Sequence, residues 1–213
     1  MVKIIVFGFA LFAFVNPTHG RERVEFNSIE SFVKSITVTS IRGYTVGDLM
    51  GKGREDWAGI ITSDKNGEEQ INIYILEKTG SGKYSIVEKS APRPAFGGTG
   101  NYGYEDIEIN NKSLFITFSY HWHECAGNSI SQFKLYKNNW RMIGVNSFET
   151  NNTDGTGMDV KSDTNLITGN IIVTRVKKGI SQIEKFKINP RLILFKEFNG
   201  DGTISIHEKK PLC

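Results

Sequence analysis

The chain has 213 residues, 38% hydrophobic and 23% charged, with a formal net charge of +3. A charge so near balance, carried by scattered lysines, excludes a nucleic-acid or membrane-surface binder built on a basic patch. Two cysteines are too few for a disulfide-dense mini-protein, and the length suits one domain with its own core.

In chain order, Lys3 precedes an apolar segment of 12 residues, Ile4 to Val15, which ends at Asn16-Pro17 and is followed by the small residues Thr18 and Gly20. This is the pattern of a removable signal peptide over residues 1–20, with cleavage before Arg21. The apolar segment falls short of the roughly 20 residues that span a bilayer, so no membrane anchor is expected. Removal of the leader takes one lysine and no acidic residue, leaving +2 on a single β-rich domain, residues 21–213, with a periplasmic or secreted location. In that compartment Cys125 and Cys213 are expected to pair, closing a loop of 88 residues. By the chain-entropy model such a staple contributes up to ~4 kcal/mol.

Asn27 and Ser28 before Glu30, Phe32, Val33 and Ile36 predict one short capped helix over an end of the sheet structure. Next comes Val46 to Ile61, VGDLMGKGREDWAGII, an acidic, glycine-punctuated turn before an apolar run. As a calcium loop it is poor. Asp48 fills the first ligand position, but a thioether (Met50) and an ammonium (Lys52) occupy the next two, leaving Asp56 as the other carboxylate in register.

This loop resembles a degenerate D-x-N-G-D-G-x-x-D signature of FG-GAP/VCBS-type repeats. The chain is also similar to uncharacterised secreted bacterial β-rich proteins that add a K-x-x-N-x-W-x-x-I-G stretch and an N-x-x-T-G-x strand pair. Here the first is matched in part by Lys137 to Gly144, which keeps its W-x-x-I-G end as Trp140 to Gly144, and the second is Asn165 to Asn170. The resemblance covers Tyr44 to Phe198 and implies an exported all-β domain. It implies no function, and Met50 and Lys52 depart from its ion site.

Beyond Trp57 the apolar period is two, as in Gln70 to Ile75, where Ile71, Ile73 and Ile75 share a face. Leu114–Phe118, Ile130–Tyr136, Trp140–Val145, Ile171–Val176 and Leu192–Phe198 follow the same pattern. Turns at Asp64–Gly67, Gly80–Gly82, Asn110–Lys112, Asn138-Asn139 and Thr168-Gly169 carry residues that accept positive φ. The expected fold is all-β: nine or ten strands in an antiparallel meander forming a sandwich, an open barrel or propeller-like blades, with one short N-terminal helix. No repeat of fixed length supports a regular propeller.

Ser90 to Tyr104 is too long and glycine-rich for a hairpin, so it predicts either a flexible surface loop or a functional one whose Phe96, Tyr102 and Tyr104, with Trp122, meet a protein partner. A second polar loop, Glu149 to Gly157, flanks it. On a strand His121 and His123 fall on one side, either as aromatic and histidine packing at a loop rim or as an H-x-H pair suited to zinc or copper if Cys125 or a carboxylate completes the set. At the C-terminus, Glu197, Asn199, Asp201 and Glu208 occupy positions one, three, five and twelve of a calcium loop with Gly202 at the sixth. The competing and preferred form is a hairpin of LILFKEF and TISIHE joined by NGDG.

The chain lacks G-x-S-x-G and H-E-x-x-H, and its acidic residues Glu105, Asp106 and Glu108 are the sole hint of glycoside chemistry. Enzyme activity is therefore the minority expectation. The leading one is an exported protein-binding module, an inhibitor or immunity protein neutralising a toxin or cell-wall hydrolase, with no cofactor of its own. The alternative is a metal-binding exported protein using His121 and His123 for zinc or copper, with calcium as the ion that the C-terminal acidic loop would take.

Overall fold

The computed structural model describes residues 24–36, 38–65, 67–94, 101–122, 125–151 and 157–199. In chain order these form β1 (Glu25–Phe26), α1 (Ile29–Ser35), β2 (Val38–Gly47), β3 (Asp56–Lys65), β4 (Glu68–Lys78), β5 (Tyr84–Lys89) and β6 (Arg93–Pro94). Then follow β7 (Asn101–Asn110), β8 (Ser113–Trp122), β9 (Cys125–Tyr136), β10 (Asn139–Asn151), β11 (Met158–Asn165), β12 (Asn170–Lys177), β13 (Ile180–Lys187), β14 (Ile193–Leu194) and a 3-10 turn, Phe195–Glu197.

The strands make two antiparallel sheets. The first has the order β1-β5-β4-β3-β2 with β6 beside β4; the second runs β13-β12-β11-β10-β9-β8-β7 with β14 beside β10. Tight turns dictate this meander. At Asn111-Lys112, Lys137-Asn138 and Lys178-Gly179 both turn residues have positive φ, between 48° and 75°, which matches the twist of a two-residue hairpin. Between β11 and β12 the Asn165 carboxamide oxygen accepts from the N–H groups of Ile167 and Thr168, at 3.1 and 3.0 Å, and Gly169 turns the chain at φ 74°.

The sheets pack face to face as a sandwich. Ala58, Ile60, Ile71, Ile73 and Ile75 of the first sheet share one core with Leu114, Ile116, Phe133, Trp140 and Met142 of the second. The period-two isoleucines of β4 thus face inward together, as their spacing predicts. The core is sealed by Leu49, Leu166, Phe195 and Phe198. Leu192–Phe198 is not one strand: after β14 the chain makes a 3-10 turn, and Phe195 and Phe198 meet Phe133 edge-on at 5.0 and 4.9 Å. Spacing by three, rather than two, puts both rings on the same side of that turn. The strand expected as the first arm of a C-terminal hairpin is therefore absent among the described residues.

Helix α1 forms where its cap predicts. The Ser28 hydroxyl accepts from Ser31 N–H at 3.2 Å, and the Ser31 hydroxyl accepts from Ser28 N–H at 3.1 Å. It covers the outer face of the first sheet rather than an end of it: Phe32 is fully buried against Trp57, Tyr74 and Leu76. Strands β3 and β4 are consequently buried on both faces.

Candidate functional site

Tyr102 and Tyr104 lie in β7, opposite Tyr120 and Phe118, so this stretch is a paired strand and not a loop. Glu149 to Asn151 likewise belong to β10. Trp122 pairs with Cys125 at the start of β9. His121 is exposed; His123 lies outside the described residues, as do Phe96, Asp201, Glu208 and Cys213. Glu197, which ends the 3-10 turn, and Asn199, two residues on, are exposed. Among the described residues no three of His, Cys, Asp and Glu gather as a metal ion requires. Of the acidic trio on β7, Asp106 accepts from Ile107 N–H at 2.8 Å and Glu108 accepts from the Asn110 side chain at 3.2 Å.

The acidic turn between β2 and β3 does form, and its carboxylates hold backbone. Asp48 accepts from Lys52 N–H at 2.7 Å. Its surroundings raise its pKa by desolvation, but the N–H groups of Gly53, Lys52 and Gly51 and the charge of Lys112 outweigh this and lower it. Asp56, only 1% exposed, accepts from Met50 N–H at 2.7 Å and Lys78 N–H at 3.0 Å. Burial raises its pKa in spite of those donors. Lys52 and Arg54 reach Glu77 at 2.5 and 3.5 Å. Of the two positions that depart from a calcium loop, Lys52 thus pairs with Glu77 and Met50 packs against the core.

The surface that stands out was not signalled by motif. Where β2 passes β7 without ladder bonds, its inward residues are Gly43, Thr45 and Gly47. A Cβ at Gly47 would lie 2.9 Å from Ile109, and Thr45 instead accepts Ile109 N–H at 3.3 Å. The large residues of β2 therefore face outward: Ile41, Tyr44 and Val46 sit opposite Ile61, Gly59 and Trp57, on the helix side of the sheet. They are 41%, 64% and 46% exposed. An amphipathic strand turned inside out is uncommon where one face of a sheet has a core to fill.

These side chains and α1 bound a groove of about 520 Å³. Ile29 and Val33 form the helix wall, Ile41, Tyr44 and Val46 the strand wall, Trp57 the floor and Tyr84 one end. Trp57 lies flat against Gly59 and is stacked with Tyr44 at 6.3 Å and 18° between ring planes. Phe32 meets its other side edge-on at 6.0 Å. The polar residues of the groove are Glu30 and Lys34, on the exposed side of α1. A hydrogen bond from Ser28, then one from its own backbone, holds Glu30 below its usual pKa, with Lys34 adding to this against some desolvation. At neutral pH the rim carries one charge of each sign over an apolar, aromatic floor. A depression on the outer face of the second sheet, lined by Asn128, Ile130, Asn146, Phe148 and Asp163, is smaller.

Comparison with known proteins finds no matching family model, no matching curated protein and no matching solved structure.

Proposed function

We propose that this chain is an exported protein-binding module that takes an apolar side chain or short apolar segment of a protein partner into the groove between α1 and β2. The observation that carries this is the reversed β2: three large apolar residues held at 41–64% exposure over a buried tryptophan. Contiguous apolar surface with an aromatic floor and a polar rim is the composition of protein-binding hot spots. A rigid support adds to it, because β3 and β4, which carry the floor, are buried on both faces and lose little freedom on binding. The sequence supplies the finer version: the leader at residues 1–20 puts the partner in the cell envelope or outside it, and the lack of catalytic motifs favours an inhibitor or immunity protein of a toxin or cell-wall hydrolase.

The test is capture from envelope extract and culture fluid by the mature protein, in parallel with Tyr44→Ala, followed by assay of the retained protein for hydrolytic or toxic activity with and without the module. Retention by the parent, loss with Tyr44→Ala and inhibition on mixing support the proposal. Retention that is indifferent to Tyr44 and leaves activity intact overturns it.

A further inference from the structure

Strand β13 ends the second sheet, and no described strand pairs with its outer edge. It carries Ile180, Ile183 and Phe186 at 69%, 65% and 44% exposure. A sheet edge with free ladder groups and exposed apolar side chains is a template for a further strand. We propose that the occupant is β13 of a second copy of this chain, joined antiparallel across a two-fold axis normal to the sheet.

The register follows from the residues. Lys177 pairs with Ile180 across the two-residue Lys178-Gly179 turn, and in such hairpins the flanking pair is hydrogen-bonded. Ile180, Gln182, Glu184 and Phe186 therefore spend their backbone groups on β12, and Ser181, Ile183 and Lys185 turn theirs outward. A two-fold normal to the sheet keeps each side chain on its own face, so registers differ by steps of two residues between partners. With Ile183 opposite Ile183, the outward groups of Ser181, Ile183 and Lys185 all meet outward groups of the second copy. On one face Ile183 packs on its counterpart and Ser181 faces Lys185. On the other, Ile180 faces Phe186 twice, in the closer non-hydrogen-bonded positions, and Gln182 faces Glu184.

Neighbouring registers lose this complementarity. Shifted one way, Glu184 opposes Glu184 and Ile183 opposes Lys185; shifted the other, Ile180 opposes Glu184 and Ile183 opposes Ser181. Edge lysines commonly keep a sheet from pairing. Here Lys185 and Lys187 fall opposite Ser181 and Gly179 in the favoured register, so neither faces a like charge. Glu184 already holds Arg175 of β12 at 2.6 Å, and its carboxylate has acceptor capacity left for the Gln182 amide.

Sedimentation of the mature protein across micromolar to sub-millimolar concentrations tests this. The parent is expected to dimerise, and Ile183→Lys, placing two lysines face to face at the axis, to weaken the dimer roughly tenfold or more. Ile183 is exposed, so the variant retains its fold. Register is read by cysteine: Ile183→Cys should give a covalent dimer under mild oxidation that the parent does not form, with counterpart Cα atoms about 5.5 Å apart. Glu184→Cys should not, since its counterparts stand roughly 8 Å apart. A monomeric parent, a dimer of unchanged strength in Ile183→Lys, or equal cross-linking of the two cysteine variants would overturn the proposal. Tyr44→Ala, on the other sheet, should leave dimerisation unaltered.

Discussion

Gly59 offers a sharp test of how the groove floor is built. A Cβ placed there would lie 2.0 Å from Trp57 Cη2, 2.4 Å from Cζ2 and 2.8 Å from Cζ3, closer than atoms tolerate. The ring has little room to yield, because Phe32 and Tyr44 flank it and its residue is only 3% exposed. Over-packing of this kind costs roughly 1–3 kcal/mol. Full loss of the indole's packing sets an upper bound of about 3–5 kcal/mol. The 2.0 Å approach is close enough to set the gross cost between these figures, at about 2–4 kcal/mol; alanine returns up to about 1 kcal/mol by restricting the unfolded chain, so Gly59→Ala should destabilise by roughly 1–3 kcal/mol net. Urea unfolding at unchanged m-value measures it. The same substitution in a Trp57→Ala background should cost much less, since the clash has gone. A Gly59→Ala protein within about 0.5 kcal/mol of the parent, or an equal penalty in both backgrounds, would refute the stated packing of Trp57 on Gly59.

Other residues give further predictions. Asp56→Ala leaves the buried N–H groups of Met50 and Lys78 without their acceptor and should cost about 2–4 kcal/mol by chemical denaturation. Because burial holds Asp56 above its ordinary value near 3.8, the folded protein takes up this proton before the unfolded chain does. Its contribution to stability therefore rises as pH falls through the folded pKa toward 3.8, an acid-side gain that Asp56→Ala should lack. Asp48 has the opposite sign: its lowered pKa contributes stability above 3.8 that is lost as pH falls through the folded value, and Asp48→Asn should flatten that loss in a pH series. Ser28→Ala removes both the cap of α1 and a hydrogen bond to Glu30, and should cost about 1 kcal/mol in thermal or chemical unfolding.

Hairpins and core strands were legible because their determinants are local. Asn and Gly at the turns tolerate positive φ whatever surrounds them, and the alternating isoleucines of β4 permit only one inward face. The helix was legible from Ser28 for the same reason. Strand β7 was hidden in a glycine-rich stretch that resembles a loop, and β11 by its buried Ser162 and Thr164. Edge strand β13 has apolar residues spaced by three, a pattern that a strand with no buried face is free to adopt. The groove was illegible for a tertiary reason. Ile41, Tyr44 and Val46 look like core residues, and the close passage of β7 over Gly47 turns them outward. Conversely, the glycines before Tyr104 resembled a loop, yet the backbone of Tyr102 and Tyr104 belongs to the β7–β8 ladder.

The measurement that bears most directly on the proposed function is binding of a purified, captured partner to the parent and to a Tyr44→Ala/Val46→Ser variant, compared by calorimetry alongside unfolding of each protein. Both side chains are substantially exposed, so the variant should keep its stability to within about 1 kcal/mol. Loss of at least two hot-spot contacts predicts affinity reduced by a hundredfold or more, on the order of 3 kcal/mol. Equal affinity in a variant that remains fully folded would place the partner elsewhere on the molecule and contradict the groove as its binding site.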